Sequence, residues 1–275
     1  MTAQPPASSP SLRITVLGSG TSHGVPAIGC DCVVCRSTDP KDRRLRPSIL
    51  IELLGAPPSA FAGEVRSILV DTSTDLRTQA LANDVRRVDA ILFTHSHADH
   101  VFGLDDVRRY NQMQQGAIAC YADRGTADSL RRMFAYVFEP PQQKGGGIPQ
   151  LALFPLAGAM TLGGVEIVPV PLWHGRLPVL GFRIGRFAYL TDCNRIPDES
   201  WELLAGVRTV IVDALRQRPH STHFSVGEAI DVAARLGAER AYFTHICHDL
   251  GHAETNAQLP AGVELAYDGL VLEIR

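Results

Sequence analysis

Cysteine is scarce, with six in 275 residues, which excludes a disulfide scaffold. No run approaches the ~18 consecutive apolar residues of a membrane-spanning helix. An excess of positive charge is missing too. There are 26 Lys and Arg against 29 Asp and Glu, a net charge of −3, and no long basic block, so a broad electrostatic face for nucleic acid is excluded and only a small basic patch stays open. Met1 to Ser11, MTAQPPASSPS, has no apolar run and reads as a flexible tail and not a signal peptide. With no export signal, the thiols are expected in a reducing cytoplasm. What is present is 45% hydrophobic, and a chain of this size buries roughly three-quarters of its unfolded surface. No repeat or low-complexity linker interrupts residues 12–275, which read as one domain.

Short runs rich in β-branched or aromatic residues and bounded by turn formers predict strands at Leu12–Leu17, Ser48–Leu54, Ser67–Asp71, Asp89–Thr94 and Ile118–Tyr121. A second series follows at Val165–Leu172, Val179–Ile184, Phe187–Thr191, Val210–Asp213, Arg240–Thr244 and Val263–Ile274, the last broken by an Asp268-Gly269 turn. Helical periodicity falls near Thr74–Ala82, Gly103–Gln112, Thr126–Phe138, Glu199–Leu204 and Val226–Leu236. Ser225 with Glu228 predicts a capping box at the last of these. Two runs of strands interleaved with helices imply a layered α/β protein whose sheets are covered on their outer faces. EPPQQKGGG, Glu139–Gly147, is the best candidate for a mobile loop, since three glycines impose little conformational preference.

The segment THSHADH, Thr94–His100, follows the apolar run AILF and puts three His and one Asp within six positions. A strand running into a loop turns His95 and His97 to one side, and the following turn brings Asp99 and His100 around. Neutral imidazoles and a carboxylate suit zinc or another borderline divalent ion. A second constellation, GCDCVVC, holds Cys30, Cys32 and Cys35. Three thiols this close in a Cys-poor chain point to a thiolate-bound zinc, which needs a fourth ligand. Asp31, His23, Cys247, His248 and His252 are candidates, and spacing does not choose among them.

HxHxDH, matched without a gap by His95, His97, Asp99 and His100, resembles the metallo-β-lactamase superfamily. That resemblance implies a four-layer αβ/βα sandwich of two mixed sheets flanked by helices, and a dinuclear metal-dependent hydrolase. It also implies further ligands at strand ends: His174 after VPVPLW, Asp192 after FAYLT and His245 after AYFT. The implied first metal takes His95, His97 and His174, the second Asp99, His100 and His245, with Asp192 as the bridge; Asp71 supports the metal loop without being a ligand. Zinc fits the His-rich set, and the bridging Asp also tolerates manganese or iron.

LGSGTSHGVPAIGCDCVVC (Leu17–Cys35) together with THICH (Thr244–His248) resembles the PhnP-type phosphoribosyl cyclic phosphate phosphodiesterase branch. The resemblance covers most of residues 12–275 and implies His248 as the fourth ligand of a structural zinc, pinning the N-terminal loop over the metal centre. It implies hydrolysis of a small cyclic ribose phosphate diester, with Asp99 and His223 as catalytic residues. His223, in PHSTHFSVGEA, would donate a proton to the leaving alkoxide, with His220 as its competitor. Arg43, Arg44 and Arg46 are weighed as a phosphate clamp against a solvated charged loop.

The expected partner is therefore a small phosphodiester, without membrane or nucleic acid. Family members are often homodimers, and no residue pattern here bears on that. The alternatives rank as cleavage of a polynucleotide, as in tRNA-processing ribonucleases, then glyoxalase-type thioester hydrolysis, then a metal-binding module without turnover.

Overall fold

Among the described residues, the alternating apolar runs pair into two sheets of seven strands each. A computed structural model of the chain describes residues 11–54, 65–139 and 147–275. The first sheet contains β1 (Ser11–Gly18), β2 (Ser48–Leu54), β3 (Ser67–Val70), β4 (Ala90–Leu92), β5 (Ile118–Ala122) and β6 (Leu151–Pro155). The second contains β7 (Met160–Leu162), β8 (Val165–His174), β9 (Leu177–Ile184), β10 (Phe187–Leu190), β11 (Thr209–Asp213), β12 (Arg240–Thr244) and β13 (Val263–Leu265). The last strand, β14 (Val271–Ile274), returns to the first sheet and pairs antiparallel with β1. Spatial orders are β14-β1-β2-β3-β4-β5-β6 and β13-β12-β11-β10-β9-β8-β7.

Each sheet is antiparallel over half its width and parallel over the other half, as expected for two mixed sheets. The β1, β2 and β3 pairings are antiparallel and those from β3 to β6 parallel; β7 to β10 pair antiparallel and β10 to β13 parallel. Parallel neighbours need crossovers. Helices α1 (Leu76–Ala82), α2 (Ala98–Val101), α3 (Arg108–Gln114), α4 (Arg124–Met133) and α5 (Ala135–Phe138) belong to the first half of the chain, and α6 (Asp198–Leu203), α7 (Val226–Leu236) and α8 (His252–Asn256) to the second. Ser225 and Glu228 form the expected capping box, and α7 ends at Gly237 in the left-handed conformation.

Three apolar clusters correspond to the three interfaces of four layers. Ile14, Ile51, Ile68, Phe182, Phe187 and Tyr189 lie between the sheets. Val212, Phe243, Val226 and Ala229 join the second sheet to α7, and Leu69, Ile91, Leu104 and Leu130 join the first sheet to its helices.

Several sequence expectations are corrected. The Asp268-Gly269 turn does break Val263–Ile274 into two strands, but they do not pair as a hairpin: β13 belongs to the second sheet and β14 to the first. The helix expected over Thr126–Phe138 breaks at Phe134, whose φ of −117° and ψ of 43° leave the helical region. The Gly103–Gln112 pattern begins as a 3₁₀ turn, Leu104–Val107, before α3. Ser11, read as part of the tail, already pairs with Leu54 in β1; Met1–Pro10 lie outside the described residues, as does most of the expected mobile loop at Glu139–Gly147. No helix among the described residues is long and apolar enough to cross a membrane.

Phe182 is buried between the sheets. Phe182→Ala is expected to cost about 3–5 kcal/mol by leaving a cavity there, read as a lower urea midpoint with an unchanged slope.

Candidate metal centre

The polar residues at the ends of β3, β4, β8, β10, β11 and β12 gather at one rim of the sandwich. Asp71, Asp192 and His245, which follow β3, β10 and β12, all have left-handed φ values, 63°, 50° and 60°. Such conformations cost roughly 1–3 kcal/mol each for a residue other than glycine. They also turn the chain sharply, so that a buried strand delivers a polar side chain to the rim. His95 lies three residues past β4, and His97, Asp99 and His100 stand at the start of α2.

His95, Asp99, His100, Asp192 and His245 are buried, whereas His97 is exposed and His174 half-buried at the mouth. Asp192 is the hub: its carboxylate lies 2.6 Å from His245 Nε2 and 3.1 Å from both His95 Nε2 and His100 Nε2. Asp99 Oδ2 is 3.5 Å from His100 Nε2 and 3.6 Å from His245 Nε2. Ligand atoms of Asp99, His100, Asp192 and His245 form one compact set, all within 4.8 Å of one another, and those of His95, His97 and Asp192 form another. His174 stands further out, in neither set, with its ring centroid 5.2 Å from that of His97 and 5.9 Å from that of His95.

The donor atoms face a shared space instead of one another. His95 Nε2, Asp99 Oδ2, His100 Nε2, Asp192 Oδ1 and His245 Nε2 are buried without a hydrogen bond of acceptable geometry. Unpartnered buried polar atoms are costly, and divalent cations held by the two sets would satisfy them, so these residues fit metal. Burial lowers the pKa of His95, His97 and His174, favouring neutral imidazoles with lone pairs available. For His245, burial acts downward but the Asp192 carboxylate outweighs it and lifts the imidazole to about 10; His100 is raised similarly, by Asp192, Asp71 and Asp99 against burial. Two buried carboxylates amid these rings thus attract positive charge.

Outer contacts hold the rings in place. Asp71 Oδ2 accepts from His100 Nδ1 at 2.7 Å and from the Thr94 hydroxyl at 2.8 Å, while Oδ1 accepts from the Thr94 amide at 2.8 Å. This is the supporting role expected for Asp71. His174 Nδ1 donates to the Thr222 carbonyl at 2.8 Å, leaving Nε2 for the site. Of the two histidines in PHSTHF, His223 is the buried one. Its ring centroid lies 4.6 Å from those of both His174 and His245, and that of His220 is 5.1 Å away. His223 Nδ1 is 2.8 Å from Asp213 Oδ2, which also accepts from the Cys193 amide. Asp213 was missed in the sequence, although it ends the run VIVD as Asp71 and Asp192 end or follow theirs.

The thiols converge separately. Cys30, Cys32 and Cys35 Sγ lie 3.1, 3.5 and 3.5 Å from His248 Nδ1, so the fold selects His248 among the candidate fourth partners. The clamp reading of the arginines fails for two of three: Arg44 is buried against protein carbonyls, and Arg46 pairs with Asp75. Arg43 is exposed.

A two-sheet sandwich with histidines and carboxylates at one rim defines a metal-dependent hydrolase. Residues 66–246 match the model of the β-lactamase superfamily domain. The crystal structure of a diphosphatase from the PhnP family is 45% identical, with a TM-score of 0.85 over 96% of this chain and 97% of that one. The chain belongs to the metallo-β-lactamase superfamily and, within it, to the PhnP family. It is also 37% identical over 261 residues to the octanoyltransferase of Porphyromonas gingivalis, covering 94% of this chain but 51% of that protein, so it spans about half the length of that relative. Zinc-bound PqqB from Methylobacterium extorquens shares the fold at 19% identity, with a TM-score of 0.68 over 95% of this chain and all of that one.

Asp71→Asn keeps the size and the left-handed backbone but turns an amide toward the His100 N–H. Metal retention against a chelator is expected to weaken about 10–100-fold, with little change in the melting of metal-free protein.

Proposed function

We propose that the protein is a dinuclear metal-dependent phosphodiesterase acting on a small, cyclic ribose phosphate diester in the cytoplasm. His95, His97 and His174 would hold one ion, Asp99, His100 and His245 the other, and Asp192 would serve both; zinc or manganese suits the set, with iron as an alternative. Cys30, Cys32, Cys35 and His248 would hold a structural zinc. Two divalent ions supply an acidified water and stabilise charge on the phosphoryl oxygens.

The observation that carries this reading is the His223–Asp213 pair beside the cluster. An alkoxide is a strongly basic leaving group that must be protonated as it departs, whereas a thiolate, with a thiol pKa near 8.5, leaves without help. Asp213 occupies Nδ1 of His223, so Nε2 is the nitrogen that gives its proton to the leaving oxygen. Buried Asp213 fixes the orientation of the ring. His97 and His174, at the solvent side, border the entrance through which the diester reaches the rim. Asp99 acts through the carboxylate it presents to the same space. The 45% identical diphosphatase supports phosphoryl chemistry, and the net charge of −3 favours a small substrate over nucleic acid.

The octanoyltransferase relative favours a second reading, hydrolysis of an acyl thioester. Assays of metal-replete protein on phosphoribosyl cyclic phosphate, a nitrophenyl phosphodiester and an octanoyl thioester separate the two. The cyclic diester is expected to give kcat/KM above ~10⁴ M⁻¹s⁻¹; turnover of the thioester alone would overturn the phosphodiesterase reading. His223→Ala is expected to lower kcat about 10²–10⁴-fold on the sugar diester and far less on the nitrophenyl ester, whose leaving group needs no proton. Equal losses on both would remove His223 as the proton donor.

A further inference from the structure

Arg44 lies in a charged loop, DPKDRRLRPS, yet it is only 1% exposed. Its guanidinium spends its donors on protein: Nη1 donates to the Cys247 carbonyl at 3.0 Å, and Nη2 to the Leu250 carbonyl at 2.7 Å and to Asp42 Oδ1 at 3.0 Å. Asp42 Oδ1 also accepts from the His252 amide at 2.8 Å. The turn from Cys247 to Leu250 is thus closed at both ends, with His248 inside it. Upstream, the Ile246 amide donates to the Ser19 carbonyl and the Cys247 amide to the Leu215 carbonyl, both at 3.0 Å. His245 directly precedes this clamped stretch, and only two residues separate it from His248.

The backbone of Arg44 pairs with the loop that leads to the cysteines. Its backbone exchanges two hydrogen bonds with Val25, each 2.8 Å, five residues before Cys30. A Cβ on Gly20 would come within 2.8 Å of the Arg44 carbonyl, so the N-terminal loop lies directly on this segment. One buried residue, by its backbone on one side and its guanidinium on the other, therefore connects the loop that carries three thiols to the strand end that carries both His245 and His248. A lysine preserves the charge beside Asp42 but lacks the planar fork that spans two carbonyls.

We propose that Arg44 is a positioning residue that couples the two sites, so that zinc bound by Cys30, Cys32, Cys35 and His248 raises the metal affinity of the His–Asp centre through His245. The coupling rests on the metal-site assignments made under the proposed function, and by linkage it is reciprocal. A flexible His245–Leu250 stretch would let either site fill without the other; the Arg44 clamp removes that freedom.

The test is a double-mutant cycle on the full chain. Affinity of the His–Asp centre for zinc is read by competition with a chromophoric chelator, and occupancy of the cysteine site by the thiolate charge-transfer absorption of bound cobalt. His248→Ala removes no ligand of the His–Asp centre, yet it is expected to weaken that centre about tenfold, within the usual range for coupled sites. In an Arg44→Lys background the same change is expected to cost less than about twofold. Cys30→Ser in the wild-type background leaves the clamp intact and is expected to reproduce the His248→Ala loss, which keeps the test decisive if Arg44→Lys does not fold. The proposal is overturned if His248→Ala and Cys30→Ser leave the His–Asp affinity within twofold, or if the His248→Ala effect is undiminished in the Arg44→Lys background. Wild-type protein without the cobalt–thiolate band would instead remove the underlying site assignment.

Discussion

Five buried groups, His95, Asp99, His100, Asp192 and His245, point their free nitrogen and oxygen atoms at one another's neighbourhood without forming good hydrogen bonds. In a protein interior such an arrangement is costly unless a cation completes it, and much of the surrounding structure serves to hold it open. Asp71 and Thr94 fix one imidazole from behind, Thr222 fixes another, and Asp213 keeps His223 upright at the edge. The three left-handed residues after β3, β10 and β12 are backbone strain placed where the polar side chains must leave their strands. The inter-sheet core and the two helix-covered outer faces supply the apolar burial that offsets both costs.

The two sheets share one pattern, three antiparallel pairings followed by three parallel ones. In open α/β sheets ligands collect outside the carboxyl ends of parallel strands, and two such sheets face to face bring two sets of strand ends to one rim. His95, His97, Asp99 and His100 come from the first sheet's side, and His174, Asp192, Asp213, His223 and His245 from the second. The set of His95, His97 and Asp192 and that of Asp99, His100, Asp192 and His245 each draw on both halves of the chain, so metal binding in them would stabilise the packing of one sheet on the other.

Much of this was legible in the sequence because strands ending in His or Asp are unusual against a background of apolar runs. Residues 94–100 announce themselves through density alone, and the three cysteines through scarcity elsewhere. Spacing was silent about what proximity decides: His248 against Cys247 or His252 is a choice made by the turn that Arg44 closes. Arg44, weighed as part of a solvated charged loop, is buried with its partner Asp42, and half-buried Asp268, read only as a turn residue, accepts from Ser19 and Leu45 with its carboxyl pushed up to about 6 by burial. β6, β7 and α8 went unread because they have three to five residues each, too few for periodicity. The crossing between β13 and β14 was invisible for another reason: an Asp-Gly pair marks a turn, not the sheet to which the next strand returns.

Anomalous diffraction from crystals of metal-loaded protein is the most direct measurement. Two strong peaks ~4 Å apart are expected on either side of Asp192, one against His95, His97 and His174 and one against Asp99, His100 and His245, with a third among Cys30, Cys32, Cys35 and His248. His223 should lie outside all three coordination spheres. A single peak at the rim, or one enclosed by Asp192, Asp213, His223 and His245, the other set whose ligand atoms cluster, would contradict both the dinuclear centre and the role given to His223.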